Sequence, residues 1–182
     1  MPLRFTTSYQ EDSLTLFRYH KGLGDRAMAL LTGDQIFATL DPEMNSVAII
    51  VKHLSGNMQS RWSNMLTSDG EKPGRNRDDE FENPPATHEA VVKTWEDGWT
   101  VVLDTLATLT DADMTKTITI RGEPHSVIQA INRQLGHYSY HCGQVVFLAK
   151  HLAGANWKSL SIPRGRSSDF NARVGRGEAS QR

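Results

Sequence analysis

Two histidines four positions apart, His137 and His141, sit in the run Gln134-Leu-Gly-His-Tyr-Ser-Tyr-His-Cys-Gly-Gln144. On an α-helix that spacing puts both imidazoles on one face, with Cβ atoms roughly 5–6 Å apart, so one metal ion can take a nitrogen from each. A third histidine, His53, lies in another strongly helical stretch, Ile49-Ile-Val-Lys-His-Leu-Ser-Gly-Asn57. Three neutral imidazoles around a divalent ion leave positions for water or substrate, which is the pattern of a catalytic site rather than a closed structural one. Imidazole donors suit zinc, nickel, copper or iron(II). An ion held this way brings a bound water toward a pKa of about 7, or holds a thiol as thiolate, so both chemistries stay open.

Residue types exclude the rival metal and nucleotide sites. The chain has no H-E-x-x-H, so the zinc-protease helix is absent. No Glu-x-x-His occurs, which removes the di-iron carboxylate bundle. A single cysteine, Cys142, allows neither a zinc finger nor an intrachain disulfide. No Walker loop or G-x-G-x-x-G is present. Cys142 follows His141 directly and so swings about 100° away from it on a helix, and a small buried side chain is its default role. His20 lies on an apolar stripe and reads first as core. His88 and His125 sit at element starts, and His151 is placed where a cation suits a helix C-terminus.

Four helices are predicted to position these residues. The first runs from about Ser8 to Leu31, with Leu16, Phe17, His20, Leu23, Gly24, Ala27, Leu30 and Leu31 on one stripe. The second covers about Asn45 to Leu66, buried through Val47, Ile50, Val51, Leu54, Met58, Trp62 and Met65. His53 flanks that stripe, with Asn57 and Ser60 continuing a polar seam beside it. The third begins at Thr87, an N-cap, and carries Val91, Val92, Trp95, Trp99, Val102, Leu103, Leu106 and Leu109. The fourth runs from about Ser126 to Leu152 and ends before Gly154. Between the third and fourth, Thr115–Ile120 is β-branched and alternating, so it reads as a short strand or hairpin arm turned at Gly122-Glu-Pro124. The fold class is therefore all-α, a four-helix bundle with a short strand or hairpin before the last helix, and the space between bundle helices is where metal sites are built.

Thr67 to Ala86 is long, polar and rich in alternating charge. A crossover is the preferred reading, because a long connection lets two consecutive helices run in the same direction. Its charges read as a solvated loop of weak ion pairs, or as a lid in which Arg61, Arg75 or Arg77 orients an anionic substrate.

Composition sets the class. The chain of 182 residues is 38% hydrophobic and 23% charged with net charge −1, a globular pattern with nothing that points to nucleic acid or an acidic membrane. The lone cysteine and the lack of an apolar core in Met-Pro-Leu-Arg-Phe-Thr-Thr make a cytoplasmic location the expectation. One domain is expected over 1–162, followed by a basic Gly/Ser/Arg-rich tail over 163–182 that is expected to be loose. From Ser161 to Arg182 five arginines face Asp169 and Glu178, a net of +3. Nucleic-acid binding through that tail is the weakest reading, and no nucleic-acid or membrane partner is expected.

The stretches HLSGNMQSRWSNMLTSDGEKPGRNRDDEF, from His53, and IRGEPHSVIQAINRQLGHYSYHCGQVVFLAKHL, from Ile120, resemble the DinB-like (YfiT-like) superfamily, whose members are regarded as metal-dependent enzymes. The resemblance runs from the first helix to about Leu160, within a branch known mainly as a domain of unknown function. It implies a four-helix bundle, frequently a homodimer, with a three-histidine divalent-metal site whose ligands fall on His53, His137 and His141. Characterised relatives include S-transferases that use bacillithiol or mycothiol and a mycothiol-dependent maleylpyruvate isomerase. The resemblance thus implies a zinc or nickel ion (iron or manganese being alternatives), a small-molecule substrate, and in some members a low-molecular-weight thiol. Two functions follow: a metal-dependent thiol transferase or hydrolase, or a non-catalytic dimeric bundle that binds metal structurally or incidentally. The Trp-rich third helix and the tail are the candidate dimer surfaces.

Overall fold

The computed structural model describes residues 8–180. The N-terminal segment read for a leader, Met1–Thr7, and the last two tail residues, Gln181 and Arg182, lie outside them. The main elements are α1 (Tyr9–Met28), α2 (Val47–Trp62), α3 (His88–Thr108), the hairpin β1 (Thr117–Ile120) and β2 (Glu123–Ser126), α4 (Val127–Ala153) and a short α5 (Ser167–Gly175). The expected four-helix bundle with a hairpin before its last helix is the fold observed. No helix among the described residues is long and apolar enough to cross a membrane.

Each long helix starts where a side chain can satisfy its first free N–H groups. The Ser8 hydroxyl accepts from Glu11 N while the Glu11 carboxylate accepts from Ser8 N, a reciprocal capping box. Ser46 and Thr87 cap α2 and α3, and Ser126 with Gln129 forms a second box on α4. Gly154, at φ 52°, ends α4 in a conformation that glycine adopts without strain. The second helix stops at Trp62, short of the expected Leu66, because Ser63 is extended and Asn64 turns left-handed at φ 51°.

Contacts between helices give their directions. Along α1 and α3 the contacts are antiparallel: Gln10 reaches the Leu106 carbonyl and Lys21 reaches Glu96. Along α1 and α4 they are parallel, with Tyr9 bonded to Asn132 and Phe17 against Tyr138. Helices α2 and α3 also run together, since a Cβ on Gly98 would touch Met58 and Ser55 while Thr105 bonds the Trp62 carbonyl. The chain therefore goes up, down, down, up, and residues 63–87 are the crossover that a parallel α2–α3 pair requires.

The hairpin pairs Thr117 with Ser126 through to Ile120 with Glu123. Its turn is Arg121-Gly122, at φ 57° and 75°, a two-residue connection whose twist matches the strands. Pro124 thus stands in β2 opposite Thr119 instead of in the turn where it was expected. The crossover docks on this hairpin. The Asp69 carboxylate accepts from the backbone N–H of Arg121 and Gly122, and Gly70 N donates to Thr119 O.

The core is aromatic at its centre. Phe17 meets Trp62, Trp99 and Tyr138 edge-on, at ring-centroid distances of 5.5, 6.3 and 5.8 Å. Trp95 and Trp99 are buried inside this core, so the tryptophans of α3 are not available as a dimer surface. The Trp95 indole donates to Asp25 at 2.6 Å and packs closely against Gly24. A Cβ on Gly24 would fall 2.4 Å from the indole carbon Cζ2.

Gly24→Ala is expected to destabilise the protein by about 1–3 kcal/mol through overpacking. Gly136→Ala, at an exposed position of α4 with nothing near its Cβ, is expected to stabilise it by about 0.5–1 kcal/mol. Urea denaturation of the two variants checks the pair, and a neutral Gly24→Ala would show that the α1–α3 contact yields freely.

Candidate metal centre

Helix α2 carries His53 on the flank of its buried stripe, and α4 carries His137 and His141 one turn apart on the face toward α2. The three rings converge. Centroid separations are 5.3 Å for His53 and His137, 5.0 Å for His53 and His141, and 4.7 Å for His137 and His141. One ring nitrogen from each lies within 4.8 Å of the others. His53 is buried, while His137 and His141 are half-buried, so the cluster has a covered side and an open side.

Hydrogen bonds decide which nitrogens are free. His53 Nδ1 lies 2.9 Å from Glu80 Oε2. A carboxylate only accepts, so the proton sits on Nδ1 and Nε2 is left as a lone-pair donor. His141 Nδ1 lies 2.7 Å from Gln144 Oε1, and with the amide oxygen accepting, His141 Nε2 is likewise free. The Gln144 amide in turn donates to the Tyr140 hydroxyl at 3.0 Å. His53 Nε2 and His137 Nε2 are 3.2 Å apart. Two nitrogens each ~2.0–2.1 Å from a tetrahedral zinc stand about 3.3 Å apart, so this separation fits a shared ion. The donor set, the free tautomers and the spacing all suit a divalent metal.

Glu80 comes from the crossover, in a short 3-10 turn over Asp79–Phe81. Arg75 grips it through both oxygens, Nε to Oε1 at 2.7 Å and Nη2 to Oε2 at 2.9 Å. Burial pushes the Glu80 pKa up, but hydrogen bonds from Arg75 and His53 outweigh it and hold the carboxylate ionised. Phe81 stacks on His53 at 4.6 Å. Gly56, one turn after His53, makes room: a Cβ there would lie 2.4 Å from Glu80 Oε1. Lys52 ties down the same turn, bonding the Asp79 carboxylate and the carbonyls of Asp79, Glu82 and Asn83.

The charged segment is thus more than a loop of weak solvated ion pairs, and two of its three candidate lid arginines are already committed. Arg61 and Arg75 are buried and spent on carboxylates: Arg61 holds Glu71 at 2.9 Å and the Gly70 carbonyl, and Arg75 holds Glu80. Arg77 lies over the Phe81 ring at 5.1 Å. Neither Glu80 nor Gln144 was expected from the sequence. Gln144 follows His141 by three residues, a spacing that could have flagged it, whereas Glu80 stands 27 residues from His53 with no local pattern to mark it.

The remaining candidates stay apart from the cluster. His20 is half-buried and its ring meets Tyr19. His88 is half-buried at the start of α3. His125 Nδ1 bonds the Glu123 carbonyl, and His151 is exposed in the last turn of α4. Cys142 is buried, and burial pushes its thiol up to about 12, which makes it inert as a nucleophile.

Residues 4–166 match the family described as Protein of unknown function (DUF1572). The chain belongs to that family. No curated protein matches it.

In this DUF1572 protein two histidines of the cluster, His137 and His141, are electrostatically prepared to stay neutral. Burial, then the neighbouring His141, His53 and guanidinium groups, push His137 down to about 3. Burial also lowers His141, against the opposing bond to Gln144. An unfolded histidine titrates at about 6.5, so below that pH the unfolded chain binds more protons than the folded one. The metal-free protein is therefore expected to lose stability steadily as pH falls from about 7 toward about 3, with no further gain above about 7 from these groups. Urea midpoints across that range check the sign, and His137→Gln is expected to flatten the slope. An equal slope in the variant would place the titrating group elsewhere.

Proposed function

We propose that this DUF1572 protein is a DinB-like metal-dependent enzyme whose divalent ion, zinc or nickel first, is held by His53, His137 and His141. The observation that carries the reading is the convergence of three imidazoles, two of which have their far nitrogens engaged by oxygen acceptors. A histidine that serves only packing has no need of that arrangement, whereas a ligand needs it to fix its tautomer and aim. Such an ion activates a coordinated water or thiol near neutral pH. The substrate class is a small molecule, and the reaction is transfer to a thiol or hydrolysis.

The protein's own residues supply the rest. Glu80 keeps the proton of His53 on Nδ1 and adds negative charge behind the ring, which raises the basicity of Nε2. Arg75 holds Glu80 against α2 and keeps it from turning toward the open side. Phe81 covers the face of His53 and keeps water from it. His137 and His141 remain half-exposed, so a substrate approaches from their side.

Metal content by mass spectrometry on untagged protein, loaded with zinc or nickel, tests the reading. About one ion per chain is expected in the wild type and essentially none in His137→Ala. Glu80→Gln is expected to keep the site but bind about 10–100-fold more weakly, measured by chelator competition. A wild type that refuses zinc, nickel, manganese and iron would return the histidines to packing and favour a non-catalytic bundle. Metal that binds and only raises the melting temperature, with no thiol transfer or hydrolysis over a substrate screen, would favour a structural ion.

A further inference from the structure

Next to the histidine cluster lies a cavity of about 470 Å³, within the range of small-molecule sites. Its walls are Met44, Ile50, Tyr140, Phe147, Leu148 and the side chain of Gln144. Tyr140 and Phe147, two turns apart on α4, are 62% and 66% exposed, an unusual placement for two large aromatic rings on one helix face. Gly143 lies between them and opens the wall: nothing stands within 4 Å of where its Cβ would be. No histidine lines the cavity, but its wall is bonded to the cluster and lies one turn from it. Gln144 lines it and accepts from His141, Tyr140 lines it and accepts from Gln144, and Ile50 precedes His53 by one turn. No lysine or arginine is on the wall, and its one charged residue is the acid Glu43.

We infer that this cavity is the substrate cleft of the metal centre, and that it takes an uncharged aryl or branched alkyl group of a small molecule whose polar reacting end lies at His137 and His141. The inference rests on the metal-site reading for its reacting end, and on the cavity alone for its apolar end. Aromatic walls and the absent cation select against a carboxylate or phosphate at that end, because the only charged residue on the wall is the acid Glu43 and no wall residue would pair with an anion's charge. The chain Tyr140–Gln144–His141 connects the cleft wall to a ligand, so a group seated on Tyr140 touches the residue that aims His141.

Two probes and two variants test it. The first probe is N-phenyl-1-naphthylamine, uncharged and fluorescent when buried, added to metal-free protein. Saturable binding is expected in the wild type, with a loss of about tenfold or more in Phe147→Ala and in Gly143→Leu, which fills the cleft. The second compares benzohydroxamate with acetohydroxamate on zinc-loaded protein by calorimetry. Both carry the same chelating head, so the expected preference of about tenfold or more for the aryl compound reads the cleft, and it is expected to vanish in Gly143→Leu while zinc content and acetohydroxamate affinity hold. Equal affinities for the two hydroxamates, or naphthylamine binding untouched by both variants, would overturn the assignment. A wild-type dimer that becomes a monomer in Phe147→Ala, by sedimentation, would give this face to a second copy and overturn it too. Failure to load zinc sinks the metal reading alone, because the naphthylamine result still decides the cleft.

Discussion

The carboxylate of Glu80 is the point on which the site rests. It is buried, and it is shared between a guanidinium and an imidazole. A buried carboxylate without partners is costly by several kcal/mol, so the crossover can close over α2 only if Arg75 and His53 come with it. The same contact fixes the tautomer of His53. Closing the fold and orienting an imidazole are therefore one event at one pair of oxygens. Gly56 is the geometric condition for it, since any larger residue would hold Glu80 away from the ring.

That contact also explains why the crossover is ordered despite its polarity. Its charges alternate along the sequence, but in space they form a chain: Arg61 and Arg121 on Glu71, then Arg75 on Glu71 and Glu80. Hydrogen bonds from Arg61 and Arg121 hold Glu71 below the usual carboxylate range although burial alone would raise it. Asp69 anchors the other end on the hairpin turn. The segment thus bridges the hairpin and α2, and a parallel α2–α3 pair comes with a stiff strap in place of a slack loop.

Much of this was legible in the sequence because helices are local. The stripes of α2 and α3, the cap Thr87 and the helix starts near Ser8 and Ser126 are short-range patterns, and the structure follows them. The pair His137 and His141 was legible for the same reason, and a similar depth in α2 pointed to His53 as the third, although only the packing of α2 on α4 brings it to them. The crossover was legible from its length, but the ion pairs that hold it were not. Its alternating charges match a solvated loop at every local spacing, and only the tertiary fold pairs Arg61 with Glu71 or Glu80 with His53. The helix over Ser167–Gly175 was hidden as well, because no apolar stripe marks it and none of its residues is buried.

Tyr138 adds something that neither the histidines nor the crossover supply. It adjoins His137 but points into the core, where its hydroxyl accepts from the Trp62 indole at 2.8 Å and donates to Asn57 at 3.0 Å. Neighbouring residues on a helix are about 100° apart, so pinning Tyr138 sets the angular phase of α4 about its own axis. A ring nitrogen about 6 Å from that axis would travel about 2 Å for a roll of about 20°, against a tolerance of about 0.2 Å in metal–ligand distance. The aromatic core therefore works as the index pin of a rotor. It stops α4 at the one angle from which His137 and His141 both face His53.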